Sequence, residues 1–393
     1  MGPAVAQRHV RGAVERTSAA EMSAADPPPC PAFPSLLAAW RKAAHGKRRR
    51  GDVCAFEERL AENLVALEEA LAGGTWRPGP YRCFERVENG KRRLIAAAPF
   101  RDRVVHHALV EQLEPTWERR FPGWLAANRV GRGTHFALRL AQDAARRCTW
   151  VLQLDVARFF PSIDHGVVMD LLEKDLHGSP LLELWRRVLD SGKDIFPELA
   201  RPALAPGDDL LALTRPRGLP IGNQTSQFLA NVVLHEVDRA ISHRVKPEAA
   251  CRYVDDLVLL DRDRGKLEEA LPLLTETLAG LRMRFQPDKT RLAATREGFT
   301  FVGYRILPWG TRLPRAFLSR AHRRLHEAQR ACAKGEARLE QARAVVAGLS
   351  GHALPAGAEA AMESLFEAHP FSFPEKSPGS PPEGGGRRED VPR

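Results

Sequence analysis

The sequence predicts a mixed α/β fold of the α+β kind, an antiparallel sheet backed by helices, on three observations. The apolar runs 251–254 and 257–260 flank two adjacent carboxylates, Asp255 and Asp256, which reads as strand, acidic tip, strand. Residues 150–156 alternate, with Leu152, Leu154 and Val156 on one face and Val151, Gln153 and Asp155 on the other, so Asp155 closes a second, half-buried strand. Around these strands apolar residues recur at helical spacing, as in Leu229, Val233, Val237 and Ile241.

Taken in chain order, residues 1–34 are rich in Ala and Arg and end in a Pro-rich stretch, the composition of a disordered leader, with Met22 as an alternative start. A basic cluster from Trp40 to Arg50 follows, suited to RNA phosphates or to a solvated basic face. Phe56, Leu60, Leu64, Leu67 and Leu71 mark an amphipathic helix ending near Gly73 and Gly74, and Val105, Leu109 and Leu113 mark another. After the first acidic strand, Val167, Val168, Leu171 and Leu172 continue as helix. Residues 191–216 carry Pro, Gly and Asp with little periodicity and read as an insertion. A helix follows Gln227, then the acidic hairpin, then a stripe of Leu271, Leu274, Leu278 and Leu281 with Pro272 at its first turn or at a kink. Phe317, Ala321, Leu325, Ala328 and Cys332 oppose Arg320, Arg323, Arg324 and Arg330 on a later helix. That basic face suits a nucleic-acid duplex or plain solvent. From about Pro370 the chain is Pro, Gly and charge, a disordered tail.

A net charge of +10 and a pI near 9.6 permit a polyanionic partner without proving one. The six cysteines lack C-x-x-C spacing, and no zinc-finger or nuclease cluster is apparent, so they read as reduced thiols. No apolar run reaches the roughly 18 to 20 residues of a membrane span, and no signal-peptide core is present, so a cytoplasmic protein with no membrane partner is expected.

A hairpin tip favours Asn-Gly or Asp-Gly, because a central residue must tolerate positive φ, so two aspartates in Tyr253-Val254-Asp255-Asp256 need another reason. A solvated acidic turn is the plain one. Metal binding is the other: if the two acidic strands are neighbours, three carboxylates meet, and they cannot all stay ionised without cations. Hard oxygen ligands suit Mg²⁺. Two such ions about 3.5 to 4 Å apart can activate a 3′-hydroxyl and stabilise a leaving pyrophosphate, which is polymerase chemistry.

With these residues the chain resembles the reverse transcriptases. The blocks are 91–95 (Lys-Arg-Arg-Leu-Ile), 100–105 (Phe-Arg-Asp-Arg-Val-Val), 154–163, 218–222 (Gly-Leu-Pro-Ile-Gly), 253–256 and 301–304 (Phe-Val-Gly-Tyr), in the family's order. The resemblance implies a right-hand polymerase with fingers at 35–150, a palm at 151–310 and a helical thumb at 311–369, the tail being 370–393. It implies Asp155 and Asp255 as metal ligands, Asp256 in support and the Val156 carbonyl beside them, with two Mg²⁺ ions and Mn²⁺ as a substitute. Phe160 matches the steric gate that excludes ribonucleotides, and a plain core aromatic, as Phe159 is read, is its alternative. Lys91 and Arg93 match bases that clamp the incoming triphosphate, although three adjacent bases leave Arg92 exchangeable with either. Lys289 resembles a palm lysine acting on pyrophosphate, and a plain surface lysine is its alternative. Phe301, Gly303 and Tyr304 match the primer grip. The implied partners are a template RNA, a DNA or RNA primer and dNTPs.

Most of the family carries Gln-Gly where this chain has Ile221 and Gly222. An aliphatic residue there, with Ser226-Gln227 closing the block, resembles the reverse transcriptases of diversity-generating retroelements, which implies error-prone copying at template adenines and a small basic accessory protein. The block also occurs in little-studied bacterial relatives, so group II intron-like, CRISPR-associated and antiphage-defence enzymes are alternatives, and a non-catalytic RNA-binding maturase is a further one.

Overall fold

Helices and antiparallel strands are interspersed along the chain in the computed structural model, which describes residues 29–88, 91–193, 195–196 and 214–372. The sheet lies where the alternating acidic strands predict it. Most of the expected leader and tail, and most of the expected insertion, lie outside the described residues.

Helix α1 (Phe33–Ala44) buries Leu36, Ala39, Trp40 and Ala43, an i, i+3, i+4, i+7 stripe. It begins inside the expected leader, and it places Trp40, the aromatic of the basic cluster, in the core. The next expected helix is two: α2 (Gly51–Glu57) holds Phe56, and α3 (Leu60–Ala72) starts after Arg59, whose φ of −128° leaves helical geometry. Strands β1 (Arg82–Glu88) and β2 (Lys91–Ala97) form a separate two-stranded antiparallel hairpin. Helix α4 (Phe100–Arg120) follows, and its buried Val104, Ala108 and Leu109 join the core that also contains the α1 residues.

The central sheet is built from β3 (Trp150–Asp155), β4 (Ala249–Tyr253), β5 (Asp256–Asp261) and β6 (Arg291–Ala294), in the order β4-β5-β3-β6 and antiparallel throughout. Helix α5 (Thr134–Arg147) precedes β3. After it come the one-turn α6 (Phe159–Ser162), α7 (His165–Leu176), α8 (Pro180–Gly192) and α9 (Gln224–Ala240), and α10 (Arg264–Gly280) follows β5.

Leu152 and Leu154 pack into the large helical core, whereas Val151 joins a second cluster with α5 residues and the three-stranded sheet of β7 (Phe299–Phe301), β8 (Tyr304–Leu307) and β9 (Gly310–Arg312). The strand read as half-buried is therefore covered on both faces along its first half. Its acidic end stays part-exposed.

Two helical details differ from expectation. Ile241 lies past α9 in a π-helical turn, Ile241–Val245. Pro272 sits in the middle of α10, whose buried face is Leu267, Ala270, Leu274 and Leu278. The C-terminal helices α11 (Arg315–Ala333), α12 (Leu339–Ala353) and α13 (Glu359–Glu367) share a small core of their own, with Ala321 and Leu325 against Leu349, Ala353, Met362 and Leu365. All six cysteines are free. No helix among the described residues is long and apolar enough to cross a membrane.

Candidate active site

The tip of the β4–β5 hairpin is one residue earlier than expected: Val254 and Asp255 make the turn, and Asp256 already pairs with Tyr253 in the ladder. The positive φ that such a turn demands falls on Val254, at 60°. A β-branched residue holds that conformation at a cost, so the surroundings must impose it. They do so through Arg252, which is 1 % exposed. Its guanidinium forks onto Asp238 of α9 at 2.7 and 2.5 Å, donates to Asn231 at 3.2 Å and donates to the Val254 carbonyl at 3.0 Å. The strained turn is thereby tied to the helix beneath it.

Asp155 lies directly opposite Asp256 in the β3–β5 register, and Asp255 is next in chain. Directly opposed residues in an antiparallel pair stand about 4.5 to 5.5 Å apart at the Cα atoms, so the carboxylates repel. Burial, followed by Asp155 and Asp255, pushes the Asp256 carboxyl up to about 7. Burial and then Asp155 raise Asp255 as well. Lys289 leaves the turn Pro287–Lys289 and places Nζ 2.5 Å from Asp155. That turn is set by the Gln286 amide, which donates to the Asp155 carbonyl at 2.8 Å. Lys289, although exposed, is thus paired with the cluster. Beside it, Val156 bridges Phe285 through bonds that use the Asp155 and Arg284 carbonyls, leaving the Val156 carbonyl outside that ladder.

Among the described residues no three His, Cys, Asp or Glu side chains stand ready as a metal cage. The donor set nevertheless fits a hard divalent cation. It offers carboxylate oxygens alone, and their mutual repulsion is what a cation relieves.

Phe160 sits in α6, half-buried against the core, with its ring centroid 5.3 Å from that of the buried Phe159. Strand alternation separates the bases of β2: Arg92 pairs with Glu85 at 3.3 Å, while Arg93 shares the other face with Ile95. The Lys91 side chain lies outside the described residues. Arg93 is close enough to lower the Asp255 carboxyl electrostatically. Ile95 in turn abuts Gly222, where an added Cβ would meet its Cγ2 at 3.1 Å, and Gly222 has a φ of 110°. The Ala96 amide donates to the Ile221 carbonyl at 3.0 Å, so the loop carrying Ile221 is stitched to β2.

The turn Val302-Gly303 joins β7 to β8 with φ of 46° and 89°, and the Val302 amide donates to Asp256. Phe301 and Tyr304 flank it as fully buried core residues, so the turn's backbone is its accessible part.

The family profile described as reverse transcriptase (RNA-dependent DNA polymerase) matches residues 85–306, more than half of the chain. The chain belongs to this family. This reverse transcriptase is 26 % identical over 291 residues to Protein YkfC of Escherichia coli, covering 64 % of this chain and 73 % of that one. It is 23 % identical over 182 residues to the group II intron-encoded protein LtrA of Lactococcus lactis, covering 46 % and 28 %. With nuclear intron maturase 1 of Arabidopsis thaliana it shares 34 % over 103 residues, covering 25 % and 14 %. It spans less than a third of each of these two intron proteins.

Three positioning features of the reverse transcriptase escaped the sequence reading. Arg252 with Asp238 looks like one more charged pair until burial is known. Asn223 bonds the Ala96 and Pro220 carbonyls at 2.9 and 3.3 Å and accepts from Ala98 at 3.4 Å, binding the helix start to the β2 hairpin. On α12, His352 stacks on Tyr304 at 4.5 Å and on Phe317 at 4.6 Å, and its carbonyl accepts from the Tyr304 hydroxyl at 2.8 Å. Asn-Gln after Gly222 was a readable signal for Asn223; nothing local marks the other two.

Proposed function

We propose that this reverse transcriptase makes cDNA from an RNA template by two-metal nucleotidyl transfer, as the polymerase of a diversity-generating retroelement. Ile221 carries the retroelement reading: an aliphatic side chain stands in a loop bonded through its backbone to the strand that bears Arg93. We adopt fingers at 35–150, palm at 151–310 and thumb at 311–369.

Asp155 and Asp255, with Asp256 and the Val156 carbonyl, would hold two Mg²⁺ ions, or Mn²⁺ in their place. Such ions supply Lewis-acid stabilisation of the attacking and leaving oxygens. The chain's own residues position the rest. Arg93 and Lys91 draw in the triphosphate by charge-assisted hydrogen bonds. Phe160 fills the space beside the sugar 2′-carbon. The Val302-Gly303 backbone seats the primer end, whose 3′-hydroxyl gives its proton to solvent as its oxygen bonds to the α-phosphorus and the bond from that phosphorus to the bridging oxygen of pyrophosphate breaks. Lys289, held by Asp155, gives a proton or its charge to the departing pyrophosphate. The partners are template RNA, a DNA or RNA primer, dNTPs and a small basic accessory protein, in the cytoplasm.

The likeness to LtrA and to an intron maturase favours a second reading, an enzyme of the group II intron lineage. One substitution separates the two. A Gln at 221 offers polar contacts, each worth roughly 0.5 to 1.5 kcal/mol, whereas Ile offers only shape and dispersion. About 1.4 kcal/mol is tenfold in discrimination. Ile221→Gln is expected to lower misincorporation opposite template adenine more than opposite other bases, read by sequencing cDNA from both proteins on one RNA. Equal error spectra, or a wild type already accurate at adenine, would turn the assignment to the intron lineage.

A further inference from the structure

A cavity of about 200 Å³ lies between the turn after α1, helix α4 and the start of α9. Lys42, Lys47, Arg103 and His106 line it together with Asn223 and Gln224. Two independent observations distinguish it from an ordinary basic surface. His106 is 1 % exposed, and neither of its ring nitrogens has a hydrogen-bond partner. Buried polar groups in folded proteins are nearly always paired. Burial, then His107 and Arg103, hold this imidazole down to about 3, so it is neutral and keeps one N–H to donate.

The second observation is the helix start. Asn223, at the N-cap of the 17-residue α9, gives its side chain to the β2 hairpin and none to its own helix. The first amides of α9 thus have no side-chain acceptor, and a helix start with open amides attracts anions. The charges point the same way. Lys42 is paired with Glu111 at 2.5 Å and Arg103 with Asp52 at 2.8 Å. Lys47 has no carboxylate within ion-pair distance among the described residues, and burial with Arg103 and Arg50 lowers its ammonium.

We infer that this cavity seats a single phosphate of the template–primer backbone, held by Lys47, the His106 N–H and the open amides of α9. The inference rests on the polymerase reading of the chain and adds to it a phosphate site apart from the carboxylate cluster. Size selects a phosphate, since drug-sized ligands need pockets from about 300 Å³ upwards. The surroundings select a backbone, because the exposed Arg48, Arg49 and Arg50 continue from Lys47 as a track that a polyanion can follow. A strand pinned here lies against the block that contains Ile221, which fixes its register there.

The test scans a template–primer duplex in which single phosphates are replaced in turn by uncharged methylphosphonates. Binding is measured for wild type, Lys47→Gln and His106→Gln. In the wild type one replacement is expected to weaken binding severalfold. The variants bind the unmodified duplex more weakly and lose nothing further at that position, and in Lys47→Gln, which removes a charge, the slope of log affinity against log salt falls by about 1. Lys47 is exposed, so Lys47→Gln keeps the test valid even where His106→Gln fails to fold. No coupled position in a wild type that extends the same duplex overturns the phosphate site and leaves the polymerase reading standing. Unchanged duplex binding with a raised KM for dNTP in Lys47→Gln overturns it too, assigning the cavity to the triphosphate. A wild type that binds with the expected coupling yet extends nothing counts against the polymerase reading alone.

Discussion

Asp256 illustrates how much a single residue's setting adds to its identity. As one of two adjacent aspartates it was visible in the sequence; its place in the ladder, opposite Asp155, was not, because a one-residue shift of the tip cannot be read from apolar flanks. The setting has a pH consequence. A carboxyl whose folded pKa is raised disfavours its ionised form in the fold, so the folded state binds more protons than the unfolded one between the ordinary carboxylate range and about 7. Stability of the metal-free protein is therefore expected to fall as pH rises through that window. Melting curves in chelator between about pH 5 and pH 8 check this, with Asp256→Asn flattening the decline relative to wild type. An equal slope in both proteins would mean that Asp256 is not the group responsible. Phe160 carries a second residue-scale prediction. Phe160→Ala should admit ribonucleotides during extension, measured as the ratio of rNTP to dNTP incorporation. Unchanged selectivity would move the gate to Phe159, although that ring is committed to the core.

At the scale of elements, periodicity found the two acidic strands, the helix after Gln227 and the C-terminal helix with its Arg face. It failed where tertiary contacts override local pattern. Pro272 remains inside α10 because its neighbours Ala270 and Leu274 are held in the core, and burial outweighs one missing backbone bond. The β4–β5 hairpin likewise depends on a partner remote in sequence. Asp238→Ala leaves the Arg252 guanidinium buried without its carboxylate and is expected to cost about 3 to 5 kcal/mol. Urea unfolding of the two proteins measures it. A loss below about 1 kcal/mol, the range of exposed pairs, would show that the network does not hold the turn.

Across the whole molecule, the order of motifs was legible while the way distant segments meet was not. The Lys-Arg-Arg strand, the Gly-Leu-Pro-Ile-Gly loop and the aspartates were each recognisable by residue type. That Asn223 ties the first two together, and that Lys289 closes on Asp155 from a turn 134 residues away, depends on three-dimensional packing. The candidate site is thus an assembly in which the β1–β2 hairpin, the central sheet and the Val302-Gly303 turn each bring one part to the carboxylates. In the proposed reaction those carboxylates serve nucleotidyl transfer and do not merely support RNA binding. Single-turnover primer extension on one defined RNA, with RNA affinity measured in parallel, tests this for wild type, Asp155→Asn and Asp255→Asn. The expected result is loss of most extension in both variants with RNA affinity nearly intact; normal extension with RNA affinity lost would contradict it.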